Sequence, residues 1–445
     1  MKWAWFAPLA ASLLATPALA QRASASDANA FIEWAREHAV PLPECSPQSA
    51  SNALQATGAI VGNARVVALG EPAHGAHEPL AFRNCLFRYL VEHHGFTAIA
   101  IESGLNESRR LQDYLSGGAG DARQLAREGL SWGFWRFGEN VELIEWIHVY
   151  NADPRHERKI HLYGIDMSGG ERSGEWRNAR VTLDDSIAYL MRVAPQLSAS
   201  SVEAIKPFVG RFTQPGYTAL PAAEQVRLQS AILNLTRFFD REKAGLVAAS
   251  SERDWAWARR NLVLARQLEA MFRVSRVPST GDDLQPDDYK ADAVRDTAMA
   301  DNLEWVLEQE GKTGRVLLFA HNGHIVNAPT RGGIWSIYRH PPKSMGQHLR
   351  VSLKQSIMIL GTSAGRNGPG LPPDDREAGT VDRALEATGI EHFLLDLRAG
   401  TESSAAGWIE QEQTLRSNFT SENIIVPESA IDAVVFFERL NATRQ

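Results

Sequence analysis

Six ionisable residues of this 445-residue sequence fall where apolar runs end. Glu71 and His74 follow "RVVALG" (65–70), Glu102 follows "TAIAI" (97–101), Asp166 follows "KIHLYGI" (159–165), and His321 and His324, in "HNGH", follow "RVLLFA" (315–320). Glycines or turn residues come next in nearly every case. In open parallel sheets, ligands bind beyond the carboxyl ends of the strands. A single acid or histidine at a strand end is ordinary. Several together are hard to read as packing, because a buried charge is costly unless it is paired or used. The types suit hydrolysis by activated water. A histidine is the commonest general base near neutral pH, a carboxylate orients it, and a cation stabilises the oxyanion. Arg83 and Arg295 are candidates for that cation and, with Asp166, for substrate contacts. The bland reading of each arginine is a surface ion pair.

Two rival chemistries use the same stretch of sequence. Three histidines among carboxylates could hold a divalent metal. "HNGH" lacks the spacing by which H-E-x-x-H presents two ligands on one helix face, so a metal is possible but not required. "ILGTSAG" matches G-x-S-x-G at Ser363, the pattern of a serine nucleophile after a strand. The "RNGPGLPPDD" that follows cannot form the helix such an elbow needs, so Ser363 is expected in a loop turn.

Seven apolar runs read as buried strands: the four above, "SIMILG" (356–361), "HFLLDL" (392–397) and "DAVVFFE" (432–438). Most lack clean alternation, as strands covered on both faces do. "LAFRNCLFRYLVEHHG" between the first two is a helix closed by Gly95. The fold class expected is α/β, a largely parallel central sheet flanked by helices. From 171 to 290 strand patterns give way to long helical ones, read as an inserted lobe that forms a cleft with the sheet. The α/β core then occupies 21–170 and 291–445, and 275–289 is the polar exit from the lobe.

Residues 1–20 read as a secretory signal. Lys2 precedes a short apolar stretch that ends at Ala18-Leu19-Ala20, with cleavage expected after Ala20 and a periplasmic or secreted product. No later run is long enough to span a bilayer. The net charge of −7, with no Lys/Arg block, argues against a nucleic-acid or anionic-membrane partner. The two cysteines, Cys45 and Cys85, fit either one disulfide or two buried thiols.

"GEPAHGAHE", "AIAIESG", "GIDMSG", "RDTAMADNLEW", "AHNGHI" and "MGQHL", in that order from Val66 into the 345–349 segment, resemble the erythromycin esterase family. The resemblance implies an α/β core with a helical lobe and a deep cleft. It implies hydrolysis of a cyclic ester by activated water, without a covalent serine intermediate. His74 would be the general base, and Glu71, Glu102, Arg83, His321 and His324 would line the cleft. The expected partner is a small-molecule ester or lactone, a macrolide or a cell-envelope ester among the candidates. Two alternatives stay open: a metal-dependent hydrolase acting on another bond, and a non-catalytic binding protein that keeps the cleft.

Overall fold

A computed structural model describes residues 24–42, 45, 51–172, 174–275, 289–372, 381–417 and 422–444. The expected signal, 1–20, and most of the polar exit from the lobe lie outside the described residues. The strands are β1 (Val40–Pro41), β2 (Val66–Glu71), β3 (Ala98–Gly104), β4 (His161–Asp166), β5 (Val316–His321), β6 (Ile357–Asn367), β7 (His392–Asp396), β8 (Gln413–Arg416), β9 (Glu422–Ile425) and β10 (Ala433–Leu440). Eight form one sheet in the order β1-β7-β10-β6-β2-β5-β3-β4, and β8 pairs with β9 apart from it. From β10 to β4 every pairing is parallel; only the β7 edge is antiparallel to its neighbours.

The missing alternation has the expected cause. Along β2, Val66 and Ala68 belong to the core on one face, Val67 and Leu69 to the core on the other. β3 and β5 split in the same way, through Ala98/Ala100 against Ile99/Ile101 and Leu318/Ala320 against Leu317/Phe319. A strand covered twice needs apolar residues at every position, and its side chains still alternate.

Each of the seven expected strands is present, and β6 is longer than its apolar run. It continues through Ser363 to Asn367. Ser363 is therefore a mid-strand residue and not the loop turn expected. Its hydroxyl is fully buried and donates to Asp382 Oδ1 at 2.7 Å. Parallel pairing with β10, Ser363 opposite Phe436, carries the strand past the glycines.

The stretch read as a lobe holds four long helices, Val181–Val193, Pro195–Val209, Ala222–Arg241 and Glu252–Val274. They share a core of their own that includes Leu183, Phe208, Phe239, Leu262 and Phe272. Helix Tyr289–Gln309 joins both parts: Ala298 packs with the lobe, Met299, Leu303 and Val306 against the sheet. No helix among the described residues is long and apolar enough to cross a membrane. Cys45 and Cys85 are partly buried against the same core layer, and their side chains are hydrogen-bonded to each other rather than joined in a disulfide.

Candidate active site

Sheet register brings the strand-end residues together. Glu71, the last residue of β2, lies opposite His321, the last of β5. The β3–β4 register shifts between Ile101 and Gly104, around Glu102. Such a bulge re-aims a side chain and is common beside active sites. Here Glu102 points across β5, where its Oε2 accepts the backbone N–H of His321 at 2.9 Å.

His74 sits in the turn after β2. Its Nδ1 bonds Glu71 Oε1, which is buried beneath it, and its Nε2 lies 4.0 Å from Glu102 Oε1. The ring stacks on His321 with centroids 3.4 Å apart and meets Phe134 edge-on at 4.8 Å. Glu102 is the hub. Its Oε1 receives Arg295 Nη2 at 2.9 Å and lies 3.3 Å from His324 Nε2. Asp166 holds Arg295 from the other side, accepting Nη2 at 2.6 Å, and also takes Trp132 Nε1 at 2.9 Å. Asp296 Oδ1 lies 3.0 Å from His324 Nδ1 and accepts Met345 N–H at 2.7 Å.

These contacts set the charges. Burial pushes His74 down, but Glu71 and Glu102 outweigh it and raise its pKa above the ordinary value. Burial also opposes charge on His324, yet Asp296 and Glu102 lift it to about 10. His321 goes the other way: burial, reinforced by His74 against its face, holds it neutral, well below the ordinary value. Burial would raise Glu102, but His324, His321 and His74 keep it well below the usual carboxylate range. The floor is thus a carboxylate among cations, with one neutral imidazole in the stack.

A cavity of about 390 Å³ opens above this floor. His74, Glu102, Arg295, His321 and His324 reach its wall, and Trp132, Phe134, Trp176 and Trp335 supply flat apolar faces. Trp132 is bent into the left-handed backbone region at φ 60°, unusual for a bulky residue, and its ring meets Trp176 edge-on at 5.0 Å. It is held there by Asp166 and by Gly170, where a Cβ would come within 2.3 Å of the indole.

Two expected substrate contacts are placed elsewhere. Arg83 does not line the cleft. It is 1% exposed, donates to Asn84 Oδ1 and Asn140 Oδ1, each at 2.8 Å, and lies over the Phe319 ring. Its helix, His77–His94, packs that face onto the sheet, and burial lowers its pKa to about 10. Asp166 is fully buried and spends its oxygens on Arg295, Trp132 and Met167 N–H. It orients a cation and is not itself a cleft contact. Glu71 likewise lies under His74 rather than in the wall.

Three kinds of site residue carry no signal in the sequence. Asp296 stands beside Arg295, and its spacing from His324 carries no signal, because the link is made in space. Asn322, inside "HNGH", is fully buried. It donates to Thr362 O at 2.6 Å and Arg416 O at 2.7 Å and accepts Thr362 N–H at 3.0 Å, filling the gap where β2 and β6 part. The aromatic wall comes from loops and single helical turns too short to have a periodicity to read.

For a cation, two ligand sets among the described residues fit by distance: Glu71, His74 and His321, and Glu102, His321 and His324, the donor atoms of each within 4.8 Å of one another. Glu71 Oε2 and His321 Nε2 are buried and find no hydrogen-bond partner among the described residues. Against occupation of the second set stands Arg295 Nη1, 3.4 Å from His324 Nε2.

The erythromycin esterase family model matches residues 91–440. The chain belongs to the erythromycin esterase family. It is 26% identical over 402 residues to erythromycin esterase type I of Escherichia coli, covering 84% of this chain and 91% of that protein. To the type II enzyme of Escherichia coli it is 24% identical over 406 residues, 83% of this chain and 89% of the other. It also resembles a Bacillus subtilis protein described as the putative hydrolase YbfO, at 21% over 94% of this chain and 92% of that one. The fold matches a crystal structure of a Bacillus cereus protein (TM-score 0.78, 23% identity, 94% of this chain and 99% of that one). It matches a mutant of the erythromycin esterase EreC in its open conformation (TM-score 0.71, 21% identity, 91% and 98%). The sheet and helices expected of a family member are those observed.

Two expectations arise at this point. Ser363→Ala should cost about 1–3 kcal/mol in a denaturation experiment, because it leaves buried Asp382 short of a partner, while kcat stays near normal. A large kcat loss in the folded variant would contradict this placement. The second concerns pH. A histidine whose pKa rises on folding contributes stability that is complete below its unfolded value and is lost as pH climbs through the folded one. For His324 that window runs from 6.5 to about 10. Thermal midpoints should therefore fall across it, and His324→Asn should flatten the slope. An unchanged slope in that variant would show that His324 is not the charged group.

Proposed function

We propose that this chain is an exported hydrolase that opens a small-molecule ester or lactone by attack of a water activated at His74. The observation that carries the reading is the Glu71–His74 pair at the cleft floor. Glu71 occupies Nδ1, which leaves Nε2 facing the cavity as the basic nitrogen. As Nε2 takes a proton from water, the hydroxide attacks the substrate carbonyl and the imidazolium forms against Glu71. Arg295 and charged His324 lie across the cavity floor, where the carbonyl oxygen gains negative charge. Collapse of the tetrahedral intermediate breaks the C–O bond, and the alcohol leaves with the proton held by His74. No side chain becomes acylated.

The substrate class rests on the family and on the walls. The similar Escherichia coli proteins are named for erythromycin, a reading that favours lactones. The indole faces of Trp132, Trp176 and Trp335 suit the apolar faces of a macrocycle or a sugar ring. The signal at 1–20 makes a drug entering the cell envelope, or an envelope ester, the accessible target. The test is a panel of macrolides, simple lactones and acyclic esters followed by mass spectrometry. A gain of one water supports the reading, and intact substrate throughout rejects it. The unpartnered Glu71 Oε2 and His321 Nε2 favour one second reading, a metal-assisted hydrolase. The same panel after chelation separates the two, since activity lost and restored by one divalent ion would select the metal.

A further inference from the structure

The segment after β10, Asn441–Arg444, lies across the turn that carries His74. Thr443 N–H donates to Gly75 O and His77 N–H donates to Asn441 O, both at 2.8 Å, and Ala76 pairs with Ala442 as an antiparallel bridge. Asn441 Nδ2 and N–H also donate to Glu78, at 2.6 and 2.8 Å. Gly75 needs its φ of +77°, and a Cβ there would come within 3.1 Å of the Phe137 ring.

Beneath this crossing lies a carboxylate that hydrolysis does not use. Glu139, in the first turn of helix Gly138–Ala152, is fully buried. It accepts His77 Nδ1 at 2.6 Å, the Thr443 hydroxyl, and Arg444 Nε at 3.3 Å. Burial alone would raise its pKa, but His77 and Thr443 draw it down to about 2, so the carboxylate is an anion at neutral pH. Arg444 goes on to Glu142 at 2.9 Å, and its carbonyl accepts Gly138 N–H at 2.7 Å. The next residue, Asn140, donates to Phe134 O at 2.9 Å, and Phe134 packs edge-on against His74. One helix end therefore grips the His74 turn through His77 and Thr443, and the aromatic wall against His74 through Asn140.

We propose that Glu139, acting with Thr443, is a positioning residue for the esterase reaction: together they lock the turn from Ala73 to His77 so that His74 keeps Nδ1 on Glu71 and Nε2 in the cleft. The inference rests on the reading of His74 as the general base. A buried anion is costly unless it is fully partnered, and its partners here are drawn from opposite ends of the sequence and meet at this turn. Small misplacements of a catalytic group are expensive; about 1 Å can cost on the order of 10²-fold in rate.

The test compares Thr443→Val with Thr443→Ser in the full chain. Valine keeps the shape and loses the hydroxyl that Glu139 receives; serine keeps the hydroxyl. With para-nitrophenyl acetate as probe, the valine variant should lose kcat by roughly tenfold or more at unchanged KM, and serine should restore it. Amide hydrogen exchange over residues 72–77 should quicken in the valine variant alone. Wild-type kcat and exchange in the valine variant would overturn the lock, as would a loss that serine does not rescue. If the wild-type protein hydrolyses no ester at all, the esterase reading fails, and the exchange comparison decides the lock by itself.

Discussion

Replacing His74 by alanine should remove turnover while the fold persists, with a loss on the order of 10²–10⁴-fold in kcat. The size follows from its place. His74 contributes little to either core: it stands in a turn beyond β2, its side chain 26% exposed to the cleft, with Glu71 fixing one nitrogen. Its raised pKa adds a second mark. A base must be unprotonated, so the acid limb of kcat/KM should lie above the ordinary histidine range, where Glu71 and Glu102 hold it. Steady-state kinetics across pH, with circular dichroism of the variant, checks both parts. Near-wild-type rates, or an unfolded variant, would each count against the assignment.

Glu102→Gln should have the largest effect on stability and should lower activity as well. The carboxylate is 3% exposed, and it faces Arg295, His324 and His74 at once while receiving His321 N–H. Glutamine keeps the shape but leaves the cations of the floor without their shared counter-charge. Removing one partner of a buried charged set costs about 3–5 kcal/mol. Urea unfolding should show a loss of that order, and kcat/KM should fall with it, because Arg295 and His324 lose the one carboxylate that ties them to each other, although Asp166 and Asp296 still hold them. A variant with wild-type midpoint and rate would show that Glu102 is a bystander.

The parts of the fold legible in the sequence are those set by local rules. The ends of the apolar runs at Glu71, Glu102, Asp166 and His321 could be read because doubly covered strands are apolar until they reach the polar residues near their ends, although β3 itself runs on to Gly104. Ser363 misled for the converse reason: its glycines and the prolines beyond spoke for a turn, while pairing with β10, remote in sequence, decided for a strand. Position along the sequence marks Arg83, on the helix after His74, and Asp166, at a strand end, as substrate contacts. Which way each side chain faces depends on helix rotation and on partners such as Asn140 and Trp132 that lie far along the chain. Asp296 and the indole wall were silent for the same reason.

The most direct measurement of the central claim is intact-protein mass spectrometry on rapidly quenched reactions with whichever ester or lactone the panel shows to gain one water. Water activated at His74 is expected to leave the protein mass unchanged at every time point during turnover, as the product accumulates. An acyl adduct that forms and decays on the protein, on Ser363 or any other nucleophile, would contradict it and replace activated water with covalent catalysis.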